Sequence, residues 1–167
     1  EAGDELLAAL FTEKGDDVIL TTSKGQAIRF KESDVLEMGR TAGGVRGMRL
    51  GKGDFIVGAD VVKKDADKPT LLVMSENGFG KRTELKEYKI QKRGGSGIKT
   101  AKVTTKIGAL ISAKVVTPIH EEVVAISKKS QVIRITIKDV PTLGRDTQGV
   151  RIMKLREGDS IASLTCL

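Results

Sequence analysis

The sequence predicts an all-β, propeller-like chain: three four-stranded blades of about 52 residues each, preceded by the final strand of another blade. Three observations predict it. The first is an internal repeat. Gly44-Val45-Arg46-Gly47-Met48-Arg49 recurs as Gly97-Ile98-Lys99-Thr100-Ala101-Lys102 and again as Gly149-Val150-Arg151-Ile152-Met153-Lys154, at offsets of 53 and 52 residues. The second is that apolar segments on both sides keep the same spacing: Val18-Ile19-Leu20 matches Leu71-Leu72-Val73 and Val123-Val124-Ala125, and Phe55 to Val62 matches Leu110 to Val116 and Ile161 to Leu167. The third is that these segments are short, β-branched or alternating, and bounded by turn residues, which is the pattern of strands.

Taken in order, Leu6 to Phe11 is a lone copy of the segment that ends each repeat, so residues 1–12 read as the final strand of a preceding blade. Residues 13–64, 65–117 and 118–167 read as the three blades. The first gives strands at Val18 to Thr22, Gln26 to Lys31, Gly44 to Leu50 and Phe55 to Val62, with turns at Ser23-Lys24-Gly25 and Gly51 to Asp54. The matching first turns are Glu76-Asn77-Gly78, with its Asn-Gly hairpin signal, and Lys128-Lys129-Ser130. The loop from Glu32 to Gly43 is too short for a packed helix, but Ser33 is placed to cap a turn over Asp34 to Met38. Gly43-Gly44 and Gly94-Gly95 supply sharp bends with positive φ. Three blades do not close a ring, because propellers usually need at least four.

The 167 residues carry 29 Lys and Arg against 22 Asp and Glu, a net charge of +7. At 39% hydrophobic, the chain has material for a core and is too mixed in sign for a disordered polyelectrolyte. A single cysteine, Cys166, excludes an internal disulfide framework and a cysteine-based zinc site, and fits a reducing compartment. No apolar run reaches the roughly 18 residues of a membrane span, and no signal-peptide pattern opens the chain. The expectation is a soluble, cytoplasmic protein without a membrane partner. Its start at Glu1 rather than Met reads as a piece of something longer.

Aligning the repeats turns net charge into geometry. Four basic positions recur: Arg29, Arg82 and Arg134 on the second strand; Arg40, Arg93 and Arg145 in the loop; and, on the third strand, Arg46, Lys99 and Arg151, then Arg49, Lys102 and Lys154. Lys81, Lys92, Lys128 and Lys129 are weaker, turn-borne candidates. In a circular array, equivalent positions line one rim, and Arg suits planar, bidentate hydrogen bonding to phosphate oxygens. With aromatic residues at 3%, few rings are left on which unstacked bases could lie, so double-stranded DNA held by its backbone is the expected partner. The competing class is a protein-interaction propeller whose basic rim meets an acidic partner.

Arg29-Phe30-Lys31-Glu32-Ser33-Asp34-Val35, Gly44 to Leu50, Glu76-Asn77-Gly78-Phe79-Gly80-Lys81-Arg82-Thr83 and Gly144-Arg145-Asp146-Thr147-Gln148-Gly149-Val150 together resemble the C-terminal domain of bacterial DNA gyrase A, over essentially the whole chain and most like its last three blades. The resemblance implies a β-pinwheel, a propeller-like ring whose blades exchange a strand with a neighbour. It implies DNA wrapped around a basic perimeter in support of supercoiling, a nucleoid-associated place in the bacterial cytoplasm, and gyrase B and a second copy of gyrase A as partners. No cofactor is expected in this stretch, since ATP and Mg would serve other domains of the holoenzyme, and no catalysis is expected from it alone. The family's box, Gln-basic-Arg-Gly-Gly-Lys-Gly, has a near match at Gln91-Lys92-Arg93-Gly94-Gly95-Ser96-Gly97, with Ser96 in place of Lys. Topoisomerase IV, a related enzyme, has a similar domain and stands as the alternative.

Other candidates point elsewhere. His120 sits in a connector beside Glu121 and Glu122 and reads as a solvated loop residue. Tyr88 reads as packing, since the family's nucleophilic tyrosine lies in a different domain, and Cys166 as core. Gly43 to Gly47 lacks the following helix and lysine pattern of a nucleotide loop. The acidic residues show neither a repeated pair nor metal-ligand spacing.

Overall fold

A computed structural model describes Gly3 and residues 5–167. Its strands, in chain order, are β1 (Asp17–Thr22), β2 (Gln26–Lys31), β3 (Ile56–Val62), β4 (Thr70–Ser75), β5 (Phe79–Glu84), β6 (Ile98–Lys99), β7 (Leu110–Val116), β8 (Glu122–Ser127), β9 (Val132–Thr136), β10 (Val150–Arg151) and β11 (Ile161–Cys166). They form three antiparallel sheets in the orders β3-β1-β2-β6, β10-β5-β4-β7 and β11-β8-β9. No helix among the described residues is long and apolar enough to cross a membrane.

The all-β, propeller-like class stands, and strands are exchanged between repeats as the resemblance to a β-pinwheel implies. The third strand of a repeat completes the sheet before it rather than its own. β6, from the second repeat, pairs with β2 in the first sheet, Lys99 opposite Gln26 and Ile98 opposite Ala27. β10, from the third repeat, pairs with β5, Val150 opposite Gly80 and Arg151 opposite Phe79. The third sheet therefore has three strands where four were expected, because no described segment covers the outer edge of β9. The expected strand at Gly44 to Leu50 and the leading one at Leu6 to Phe11 lie outside any strand for a related reason: no described segment supplies them with ladder partners.

The exchange depends on close backbone approach. Gly25 and Gly78 end the β1–β2 and β4–β5 turns at φ +81° and +79°. Each accepts the incoming chain at its carbonyl: Thr100 and Ala101 donate to Gly25, and Ile152 and Met153 to Gly78. A Cβ on Gly25 would lie 2.6 Å from the Ala101 carbonyl oxygen, and one on Gly78 would lie 2.3 Å from that of Met153. The third repeat has Ser130 here, also with positive φ, at +61°. A three-residue 3₁₀ turn follows the second strand of every repeat, at Glu32–Asp34, Leu85–Glu87 and Ile137–Asp139. Ser33, expected as a cap, lies inside the first of these, and that turn has no side-chain cap bond.

Apolar side chains cluster between sheets. Ile19, Ala27, Val62, Leu71, Val73, Leu85, Tyr88 and Ala101 form one cluster across the first two sheets; Leu72, Met74, Val123, Ile137, Met153 and Ile161 are among those of a second across the latter two. Fully burying a Leu or Ile stabilises by about 1.5–3 kcal/mol, so each sheet depends on its neighbour for its core. β3 and β11 both pack against β7 on the inner side. The exchanged strands consequently lie on the opposite, outer side, and they carry Lys99 and Arg151.

Candidate nucleic-acid interface

The third-strand registers are the exposed ones. Lys99 lies in β6 and Arg151 in β10, with Lys102 and Lys154 three residues further on, and all four side chains are exposed. Arg46 and Arg49 hold the same positions in the first repeat and are exposed too. Lys99 meets Asp146 at 3.4 Å in an open ion pair, and the Arg151 guanidinium lies 5.3 Å from the centre of the Phe79 ring. Neither contact removes its charge from solvent.

The other two registers work largely as struts between repeats. Arg29 is mostly buried; it binds Asp17 at 2.7 Å and donates to the Leu85 carbonyl in the next repeat at 2.9 Å. Arg82 donates to the Val140 carbonyl at 2.9 Å. Arg134, the third of this register, bonds no such carbonyl among the described residues and forms an exposed ion pair with Glu122. The loop register runs the opposite way along the chain. Arg93 donates to the carbonyls of Asp34 and Arg46 at 2.9 and 2.6 Å, and Arg145 to that of Lys99 at 2.9 Å. Arg40 is exposed. Arg93 and Arg145 thus each fix the backbone of an exposed basic residue in the repeat before them.

Lys81, expected on a turn at the rim, is only 1% exposed. It lies within β5, where the first and third repeats have Ile28 and Ile133, and burial pushes its ammonium down to about 8. Lys92, Lys128 and Lys129 are exposed. Lys129 donates to the Glu157 carbonyl at 2.9 Å, as Lys24 does to that of Lys52 at 2.5 Å, so these lysines also brace the hairpin ends.

Tyr88 is buried, and its hydroxyl meets Thr100. His120 accepts a hydrogen bond from the Thr117 amide within the connector. Cys166 is half-buried beside the second cluster, and burial raises its thiol to about 11. Among the described residues no group of His, Cys, Asp and Glu is arranged to hold a metal ion. The struts carry no signal in the sequence, whereas the burial of Lys81 does: it aligns with two isoleucines, which marks an inward position.

An arc of strand-exchanging propeller blades with a basic outer side defines the class of protein. The family model described as "DNA gyrase C-terminal domain, beta-propeller" matches residues 16–63, 69–117 and 121–167, one segment for each repeat. The chain belongs to this family. It is 40% identical over 163 residues to DNA gyrase A of Aminobacterium colombiense, covering 98% of this chain and 20% of that protein. It superposes on a structure of the DNA gyrase A C-terminal domain with a TM-score of 0.84 at 33% identity, covering 93% of this chain and 52% of the other. A C-terminal domain of DNA topoisomerase IV shares the fold, with a TM-score of 0.85 at 23% identity over 93% of this chain and 48% of that one. The chain spans about a fifth of the length of the curated relatives it matches and about half of these solved domains.

Proposed function

We propose that this chain binds duplex DNA without sequence preference and bends it along the exposed outer strands, as the wrapping part of a type II topoisomerase that introduces supercoils. The observation that carries this is the placement of Arg46, Arg49, Lys99, Lys102, Arg151 and Lys154: one exposed basic pair per repeat, with Lys99 and Arg151 on the outer strands of their sheets. Phosphate contacts of this kind position a duplex without reading its bases. Smoothly bending 20 to 30 base pairs costs on the order of 1–6 kcal/mol, which several charge-assisted contacts offset. Arg93 and Arg145 act mainly by holding the DNA-facing residues in register, Arg29 and Arg82 brace the junctions between repeats, and Arg40, Arg134, Lys92, Lys128 and Lys129 add exposed charge.

In this reading the chain has no catalytic activity of its own. Membership in the gyrase family supports a holoenzyme with gyrase B and a second copy of gyrase A, in the bacterial cytoplasm. The test is topological. A nicked circle sealed in the presence of saturating protein should change linking number, and the salt slope of binding should flatten by about 0.9 per phosphate released when Lys99, Lys102, Arg151 and Lys154 are made neutral. Unchanged linking despite tight binding would sink the wrapping claim. Binding to acidic proteins but not to duplex would turn the assignment to an interaction module.

A further inference from the structure

We propose that Lys81, which reaches no DNA itself, is the positioning residue for the exposed basic pair of the second repeat, and sets the placement of Lys99 and Lys102 through the loop 144–147. The inference rests on the DNA-binding role just proposed for those two lysines. The ammonium is enclosed by acceptors from one short stretch of the third repeat: the carbonyls of Gly144 and Arg145, both at 2.6 Å, and the Thr147 hydroxyl at 3.0 Å. All three of its donors are therefore used. A buried charge of this kind is stable only while those partners stay in place, so the lysine and the loop hold one another.

The loop in turn holds the rim. Arg145 donates to the Lys99 carbonyl, Asp146 pairs with the Lys99 ammonium, and the Thr147 carbonyl accepts the Lys102 amide at 3.0 Å. Thr83, two residues along β5, donates to the Leu143 carbonyl at 2.8 Å and fastens the near end of the same loop. The chain of interactions from Lys81 to the two exposed lysines is continuous and wholly polar. The first repeat reaches the same geometry by another route: Ile28 and Phe30 replace Lys81 and Thr83, Met48 packs on them, and the loop 93–95 bonds to the backbones of Arg46, Gly47 and Arg49. Position 81 is thus where the second repeat substitutes an electrostatic clamp for an apolar one.

Two measurements test this and separate its failure from that of the DNA-binding role. Amide hydrogen exchange on Lys81→Met should show the Lys102 amide losing protection while amides of β4 and β7 keep theirs; uniform loss across the chain, or none at Lys102, overturns the positioning role without reference to DNA. Duplex affinity should fall on the order of tenfold in Lys81→Met but less than twofold when the same change is made in a Lys99→Ala/Lys102→Ala background, since residues acting through one another are not additive. Equal losses in both backgrounds overturn the proposal. A parent chain that binds no duplex overturns the functional assignment and leaves the exchange result standing. Should Lys81→Met fail to fold, Thr147→Val removes one acceptor of the same ammonium, and a smaller loss with the same non-additivity is expected; additive behaviour there overturns the proposal equally.

Discussion

The outer edges of the first two sheets and the outer edge of the third are built from aligned residues, yet they differ in kind. β2 and β5 are covered by a strand from the next repeat, whereas no described residue covers β9, and Val132 is 62% exposed. Under cover, the turn residue is Gly25 or Gly78 and the second-strand residue is Ala27 or Gly80, small enough for another backbone to pass. On the uncovered edge the same positions are Ser130 and Val132. Arg29 and Arg82 reach into the next repeat, while the aligned Arg134 turns to Glu122 on its own sheet. The lesson is that a repeated residue does not carry a fixed role. Its neighbour decides whether an arginine is a strut or a free charge, and whether a turn must be glycine.

The largest way to break this comparison is at the turns. Gly78→Ala combines a positive φ with a Cβ 2.3 Å from the Met153 carbonyl oxygen, and should cost about 3–5 kcal/mol in urea unfolding. Ser130→Gly meets no covering strand and should change stability by less than about 1 kcal/mol, because relief of backbone strain opposes the added freedom of the unfolded chain. Similar costs at the two positions would mean that the covering strand is not what demands glycine.

The second-strand arginines sharpen it further. Arg82→Met removes a charge-assisted bond across the junction and should cost about 1–3 kcal/mol. Arg134→Met breaks only an exposed pair and should fall within about 0.5 kcal/mol, while weakening duplex binding slightly, as its charge is open to solvent. If the two variants unfold at the same urea concentration, the strut assignment is wrong.

Much of this is legible in the sequence. The repeat offsets, strand segments, hairpin turns and four basic registers follow from periodicity and turn chemistry, because these are local properties. The pairing of β6 with β2 and of β10 with β5 does not follow from the residues themselves, since a two-residue strand has no pattern that names its partner; only the family resemblance implies an exchange. The division of the basic registers into struts and free charges is hidden for a similar reason. A guanidinium that bonds a carbonyl some 50 residues away looks, in sequence, the same as one facing water. Lys81 reads as a rim residue on its charge alone, although its alignment with Ile28 and Ile133 places it on the buried side of the strand.

A last expected effect concerns pH and again contrasts the covered and uncovered edges, since position 81 under cover is Lys and its counterpart on β9 is Ile133. The Lys81 ammonium titrates near 8 when folded against an ordinary 10.5. Between those values the unfolded chain holds a proton that the native one has shed, so this group makes the fold more stable as pH rises through 8. Burial acts oppositely on Cys166, whose thiol is raised from 9 to about 11: above pH 9 the unfolded chain loses a proton that the native state keeps, and stability falls. The urea midpoint should therefore climb between pH 8 and 9 and then level or decline. Lys81→Ile, copying the third repeat, should abolish the climb, and Cys166→Ala should abolish the decline. A climb that survives Lys81→Ile would place the titrating group elsewhere and remove the electrostatic clamp as the difference between the second sheet's edge and the third's.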